Sequence, residues 1–65
     1  MLVPAKDVQV GDILVHDEFF RDRVDEVSMN ALGHVKLILN DDTATMFFEP
    51  NEVVLIARPK TVVNL

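Results

Sequence analysis

The amino-acid sequence predicts a small all-β domain whose five strands curl into an open barrel. Apolar and β-branched residues come in five short runs separated by turn-forming residues, a spacing typical of small barrels. No stretch longer than one turn shows the 3.6-residue periodicity of an amphipathic helix. The chain has 65 residues, too few for a two-sheet immunoglobulin sandwich of about 100 residues.

The clearest local pattern is a hairpin over residues 34–48. Residues 34–39 alternate in the way that puts every second side chain on one face of a strand. Residues 43–48 form a second run that is rich in β-formers. The three residues between them, Asn-Asp-Asp at 40–42, tolerate the left-handed backbone of a tight turn. The two runs are therefore predicted to pair as neighbouring strands.

Three further strands are predicted at residues 13–16, 23–29 and 53–58. Val24 and Val27 lie three positions apart, which breaks strict alternation and indicates a β-bulge or a strong bend; a helical turn is the alternative. Residues 53–58 are almost entirely apolar, which predicts a strand that is buried on both faces or central in the sheet.

Short turns and the core complete the predicted barrel. Pro50 and Asn51 predict a 3₁₀ turn at 49–52, and residues 5–8 can form one helical turn. The alternation of the predicted strands places a common set of side chains on one face. We predict that most of the core consists of Val35, Leu37, Leu39, Ala44, Met46 and Val54.

Composition and charge narrow the classes of function. The sequence predicts one β-barrel domain over 1–58 and an apolar C-terminal tail over 59–65. Between Asp7 and Glu52, eleven acidic residues meet only three basic ones, and the net charge of the chain is −5. Such an acidic body disfavours nonspecific binding to a nucleic-acid backbone. Cysteine is absent, so no disulfide can form, and we expect a cytoplasmic protein.

Three segments resemble the SH3-like small barrels, a group that includes the SH3 and KOW folds. They are Val-Gly-Asp-Ile-Leu-Val at 10–15, Gly-His-Val-Lys-Leu at 33–37 and Phe-Glu-Pro-Asn-Glu-Val-Val at 48–54. The resemblance implies an SH3-like five-stranded open barrel. SH3 domains bind proline-rich peptides through tyrosine and tryptophan, and this chain has neither residue. The chain is also similar to small uncharacterised proteins of tailed bacteriophages, which implies a viral protein in the host cytoplasm.

The most interesting local feature is the aromatic pair Phe19–Phe20, with Arg21 and Arg23 close by in the sequence. Aromatic and arginine side chains on a loop have the composition of a protein interface. Adjacent side chains of an extended chain diverge, so we expect one ring in the core and the other exposed. The alternative is that both rings fold over the mouth of the barrel.

The tail is the second candidate for a partner-binding surface. Its apolar residues Val62, Val63 and Leu65 follow Pro59, which ends the last predicted strand. These residues can fold back on their own barrel, or they can cross to a neighbour and add a strand to a sheet edge. We expect a homo-oligomer, a dimer in the simplest case, with a monomer as the alternative.

These observations predict a non-enzymatic module for protein interaction or self-assembly. The neighbours His16, Asp17 and Glu18 point alternately to opposite faces, which is poor geometry for binding one metal ion. The sequence also has no glycine-rich phosphate loop and no Ser-His-Asp or Cys-His arrangement, so we predict no catalytic, metal-binding or cofactor-binding residues. The alternative function is an accessory nucleic-acid-binding barrel. It requires the basic residues to converge on one face; these are Lys6, Arg21, Arg23, Lys36, Arg58 and Lys60.

Overall fold

The fold is a six-stranded antiparallel open sheet, seen in a computed structural model that describes residues 1–59. The strands are β1 (Leu2–Pro4), β2 (Ile13–Val15), β3 (Arg21–Met29), β4 (Val35–Leu39), β5 (Ala44–Phe48) and β6 (Val53–Ala57). Their order across the sheet is β1-β6-β2-β3-β4-β5. The predicted all-β class is confirmed, and the sheet has one strand more than the five predicted.

The additional strand is β1, whose three residues are too few to show a pattern of alternation. It pairs with β6, so that Val3 lies opposite Val54. A 3₁₀ turn over Ala5–Asp7 follows, which confirms the predicted helical turn at 5–8. The Ala5 N–H donates to the Glu52 carbonyl at 2.8 Å, and this bond ties the N-terminal segment to the chain just before β6.

The predicted hairpin is confirmed as β4 and β5, with Leu37 opposite Met46 in the ladder. The turn residues Asn40, Asp41 and Asp42 have φ angles of 50°, 57° and 68°. This left-handed region favours glycine, and asparagine and aspartate are the other residues that enter it most readily. The chemistry of these three side chains therefore explains where the chain reverses.

The predicted β-bulge is also confirmed, because the register of β3 against β4 shifts between Val24 and Glu26. Asp25 is the extra residue at the bulge. Val24 consequently lies opposite Leu39, and Val27 lies opposite Leu37. The extra residue at a bulge shifts the alternation of side chains by one position. Two valines three positions apart can therefore both point towards the core.

The core lies on one face of the sheet and is built from aliphatic side chains. Its buried members are Val3, Ala5, Val8, Leu14, Val24, Val35, Leu37, Leu39, Val54 and Ile56. Of the six predicted core residues, four are buried and Met46 is partly buried against them. The prediction is wrong for Ala44, which is exposed because it begins an edge strand directly after a turn.

Two details of the C-terminal half refine the prediction. In β6, Val54 and Ile56 are buried whereas Val53 and Leu55 are exposed. The strand is central, as predicted, since it pairs with both β1 and β2, but it is buried on one face only. Residues 49–52 form a single turn in which the Glu52 N–H donates to the Glu49 carbonyl at 3.0 Å, the bond expected for the predicted 3₁₀ turn.

Candidate binding surface

The loop between β2 and β3, residues 16–20, has a path fixed by hydrogen bonds. The Asp17 carboxylate oxygen Oδ1 accepts from the N–H groups of Phe19 and Phe20, at 2.7 and 2.8 Å. The His16 N–H donates to the Phe20 carbonyl at 2.9 Å. A side chain that accepts from the backbone two and three residues later forms an Asx turn. The loop is therefore an ordered turn that presents its two aromatic residues.

Both phenylalanine rings lie outside the core. Phe19 is 85% exposed and Phe20 is 67% exposed. The expectation that one ring enters the core is wrong, and the rings do not fold over the sheet as the alternative required. The physical reason is the Asx turn of Asp17, which replaces the extended backbone on which that expectation depended and lies beyond the ends of β2 and β3.

A polar network connects the base of this loop to the turn between β4 and β5. The His16 Nε2 lies 2.7 Å from Asp22 Oδ2, and the Asn40 side-chain amide donates to the other oxygen of Asp22. The Arg23 N–H in turn donates to Asn40 Oδ1 at 2.9 Å. These side-chain bonds hold the ends of two hairpins together.

The two arginines that follow the loop differ in their availability to a partner. They lie on the outer face of β3, where Arg21 is opposite Val15. Arg23 is engaged within the chain, with its guanidinium 2.7 Å from carboxylate oxygens of both Asp25 and Asp41. The hydrogen bond with Asp25 raises the pKa of Arg23 and holds the pKa of Asp25 below its usual range. No ion pair within residues 1–59 includes Arg21.

The structure also contains an ion pair with a buried carboxylate, which the sequence did not predict. Arg58 donates from Nε and Nη2 to the two carboxylate oxygens of Asp12, each at 2.9 Å. The Gln9 N–H donates to the same carboxylate at 2.8 Å. Only 2% of Asp12 is exposed. No local signal could identify this pair, since its members lie 46 positions apart.

The pair forms one wall of a shallow pocket of about 280 Å³, lined by Gln9, Val10, Gly11, Asp12, Arg58 and Pro59. The hydrogen bond from Arg58 lowers the pKa of Asp12, against an opposing effect of burial. The Asp12 carboxylate is thus ionised and fully partnered. The pair fastens the end of β6 to the start of β2, which is a structural role.

The outer face of the sheet is apolar and exposed at β1 and β6. Leu2 lies opposite Leu55, and Val53 lies opposite Pro4. Leu2 is 70% exposed and Val53 is 60% exposed. This β1–β6 face was not predicted from the sequence, because without β1 the apolar residues of β6 have no exposed neighbours to join.

The remaining predicted contact residues, Val62, Val63 and Leu65, lie outside the described residues, as does Lys60. Within residues 1–59, no three His, Cys, Asp or Glu side chains are grouped so that they could hold a metal ion. No helix in that part of the chain has the length and apolar character needed to cross a membrane.

Comparison with known proteins assigns no family to the chain. No protein-family model matches it, and the searches of curated proteins and of solved structures found no match.

Proposed function

We propose that this protein is a non-enzymatic binding module that docks a protein partner through Phe19 and Phe20. One observation supports the proposal above the others: two adjacent phenylalanine rings are exposed on a loop whose backbone is fixed by Asp17. Exposed apolar groups gathered at one place mark interaction sites. Aromatic side chains supply much of the binding energy when a partner covers them.

The fixed backbone of the loop favours binding in a second way. Ordering a flexible loop on association costs free energy that reduces affinity. Asp17 holds the loop in place through bonds to the backbone of both aromatic residues, so that cost is small. Arg21 lies at the edge of the pair and is available to a polar or acidic rim on the partner. A partner surface that fits this loop has an apolar pocket for the two rings and a polar or acidic rim for Arg21.

The proposal keeps the SH3-like open barrel as the architecture of the module. It is supported by the pairing of the first strand with the last, Val3 opposite Val54, and by the bulge at Asp25. Both features favour a strongly curled sheet. The loop with the aromatic pair then stands at one end of the barrel, clear of the core.

The charge distribution supports a protein partner over a nucleic acid. Arg23 and Arg58 are each bound to aspartates of their own chain. Lys36 lies opposite Ser28, near the far end of β3 from Arg21, about 23 Å away along seven residue steps of that strand. Two of the basic residues are thus neutralised by acids of their own chain and Lys36 stands apart from Arg21, which, among residues 1–59, favours a protein partner over a basic stripe for a phosphate backbone.

The test of the proposed function compares two surface variants with the parent chain. In the first, Phe19→Ser and Phe20→Ser remove both rings. In the second, Leu32→Ser removes another exposed apolar side chain, at 81% exposure, from the turn between β3 and β4. Proteins captured from a lysate of the source cells are quantified for each. A partner that is lost with the first variant and kept with the second supports the proposal; equal capture by all three chains contradicts it.

The self-assembly form of the proposal involves the tail rather than the loop. Deleting residues 60–65 and measuring molar mass by light scattering tests it. A dimer that becomes a monomer on deletion supports assembly through Val62, Val63 and Leu65. A chain that is monomeric before and after deletion excludes it and leaves binding through Phe19 and Phe20 unaffected.

A further inference from the structure

The two edges of the sheet differ in how they are protected. The β1 edge has three residues and ends in Pro4, which has no N–H to offer another strand. The β5 edge has five residues, Ala44–Phe48, and contains neither a proline nor a charged side chain. Within residues 1–59, β4 is the only strand paired with β5. Alternate backbone groups along β5 are therefore open to an added strand.

The inner side of β5 is also incompletely covered. Met46 and Phe48 are half-buried and pack against the core. Their neighbours across the ladder, Leu37 and Val35, are buried, at 0% and 2% exposure. Burial thus falls off at the last strand of the sheet. A strand added beside β5 would place its own apolar side chains next to Met46 and Phe48 and extend the core.

The charges at the ends of β5 define what kind of strand fits there. The segment 40–52 contains four acidic residues and no basic one. Asp41 and Asp42 precede the strand, and Glu49 and Glu52 follow it. Arg23 is bound to Asp41, which leaves exposed acidic groups at both ends of the edge. A second strand with acidic ends is repelled, whereas one with basic ends is attracted.

We propose that β5 binds an extended peptide segment of a partner protein, apolar at alternate positions and carrying lysine or arginine at both ends. Backbone hydrogen bonds to the β5 edge supply the binding, and the flanking acids supply the selectivity. A second copy of this chain fits poorly, because pairing two β5 strands antiparallel about Met46 sets the Asp42 end of one strand beside the Glu49 end of the other. This surface is separate from the Phe19–Phe20 loop.

The test measures the binding of three synthetic peptides to the full chain by calorimetry. The first is Lys-Lys-Val-Thr-Val-Thr-Val-Lys-Lys. The second has glutamate in place of every lysine. The third keeps the lysines but has proline at its centre, which breaks the backbone ladder. We expect the first to bind at least about tenfold more tightly than the second at low salt, with a smaller ratio at high salt, and the third not to bind.

Two variants with equal net charge locate the site. Asp42→Asn with Glu49→Gln removes one acid at each end of β5 and keeps the shape of both side chains. Asp7→Asn with Glu18→Gln removes two acids elsewhere. We expect the first variant to weaken the lysine peptide about threefold to tenfold and the second to leave its affinity unchanged. The β5 amides that point away from β4 should exchange rapidly in the free chain and become protected when the peptide is bound.

Several results would overturn the proposal. They are no binding of the lysine peptide at millimolar concentration, equal binding of the proline peptide, or equal weakening by the two variants. A dimer that forms through β5 and excludes the peptide would also overturn it. The variant Phe19→Ser with Phe20→Ser should bind the peptide as the parent does, so failure at this edge and failure of the proposed loop function are distinguishable.

Discussion

Arg58 donates two hydrogen bonds of 2.9 Å to the carboxylate of Asp12, across 46 positions of sequence. The backbone at Asp12 is also tied down, because its carbonyl accepts from the Val24 N–H at 2.8 Å. The same short segment thus contacts β3 through its backbone and the end of β6 through its side chain. In a chain without disulfides, this pair is a non-local link between the start of β2 and the end of β6.

Removing Asp12 and removing Arg58 should each destabilise the fold, but by different amounts. Asp12→Asn removes the negative charge and leaves Arg58, which is one-third exposed, to water; we expect a loss of about 1–3 kcal/mol in the free energy of unfolding. Arg58→Gln leaves a covered carboxylate without its cation, and we expect a loss of about 3–5 kcal/mol. Urea unfolding of both variants measures the difference. Equal losses, or the reverse order, would contradict the structural role assigned to the pair.

The same pair should make stability depend on acid pH. The pKa of Asp12 is lowered in the folded state from an ordinary value of 3.8, chiefly by the Arg58 hydrogen bond. A lowered pKa stabilises the folded state above the ordinary value, and this contribution is lost as pH falls through the folded value. Unfolding measured from pH 7 downwards should show a steeper loss below about pH 4 for the parent than for Asp12→Asn. Identical profiles would show that Asp12 is not the group responsible.

Leu37 should be among the most sensitive positions of the core. Its side chain is fully buried, and it lies in β4 between Val27 and Met46. Leu37→Ala should cost about 2–5 kcal/mol, because it removes apolar contacts and leaves a cavity. Leu32→Ala, at an exposed leucine, should change stability by less than about 0.5 kcal/mol. Thermal unfolding compares them, and similar melting temperatures would place Leu37 outside the core.

Asp17 should control the order of the aromatic loop without contributing to the core. Asp17→Ala removes the acceptor for the N–H groups of Phe19 and Phe20, so amide hydrogen exchange at both positions should accelerate. Asp17→Asn retains an acceptor oxygen and should behave like the parent. The melting temperature should change little in either variant, since the residue is exposed. Unchanged exchange in Asp17→Ala would mean that the loop is ordered by other contacts.

The sequence predicts best what is decided locally. The β4–β5 hairpin follows from alternation and from three turn residues that accept a left-handed backbone, and the bulge at Asp25 follows from the spacing of Val24 and Val27. Ala44 shows the limit of alternation, because a side chain on the correct face is still exposed when its strand lies at the edge of the sheet.

Features that depend on distant or side-chain contacts were not predictable. The strand β1 has three residues, and only its pairing with β6 makes it a strand. The Asp12–Arg58 pair joins segments whose proximity is a result of the sheet order. The exposure of both Phe19 and Phe20 depends on one side-chain acceptor, Asp17, that redirects the backbone. Composition identified the aromatic pair as a candidate, but the geometry that presents it came from the structure.

Photo-crosslinking from the aromatic loop would show whether Phe19 and Phe20 contact a protein partner. Benzoylphenylalanine, an analogue close in shape to phenylalanine, is introduced at Phe19 in one chain and at the exposed Leu32 in a control chain. After irradiation in a lysate of the source cells, crosslinked proteins are counted by mass spectrometry. We expect one dominant protein to be crosslinked from position 19 and not from position 32, and this crosslink to be lost when Asp17→Ala is added. The same low background from both positions would contradict the proposed contact.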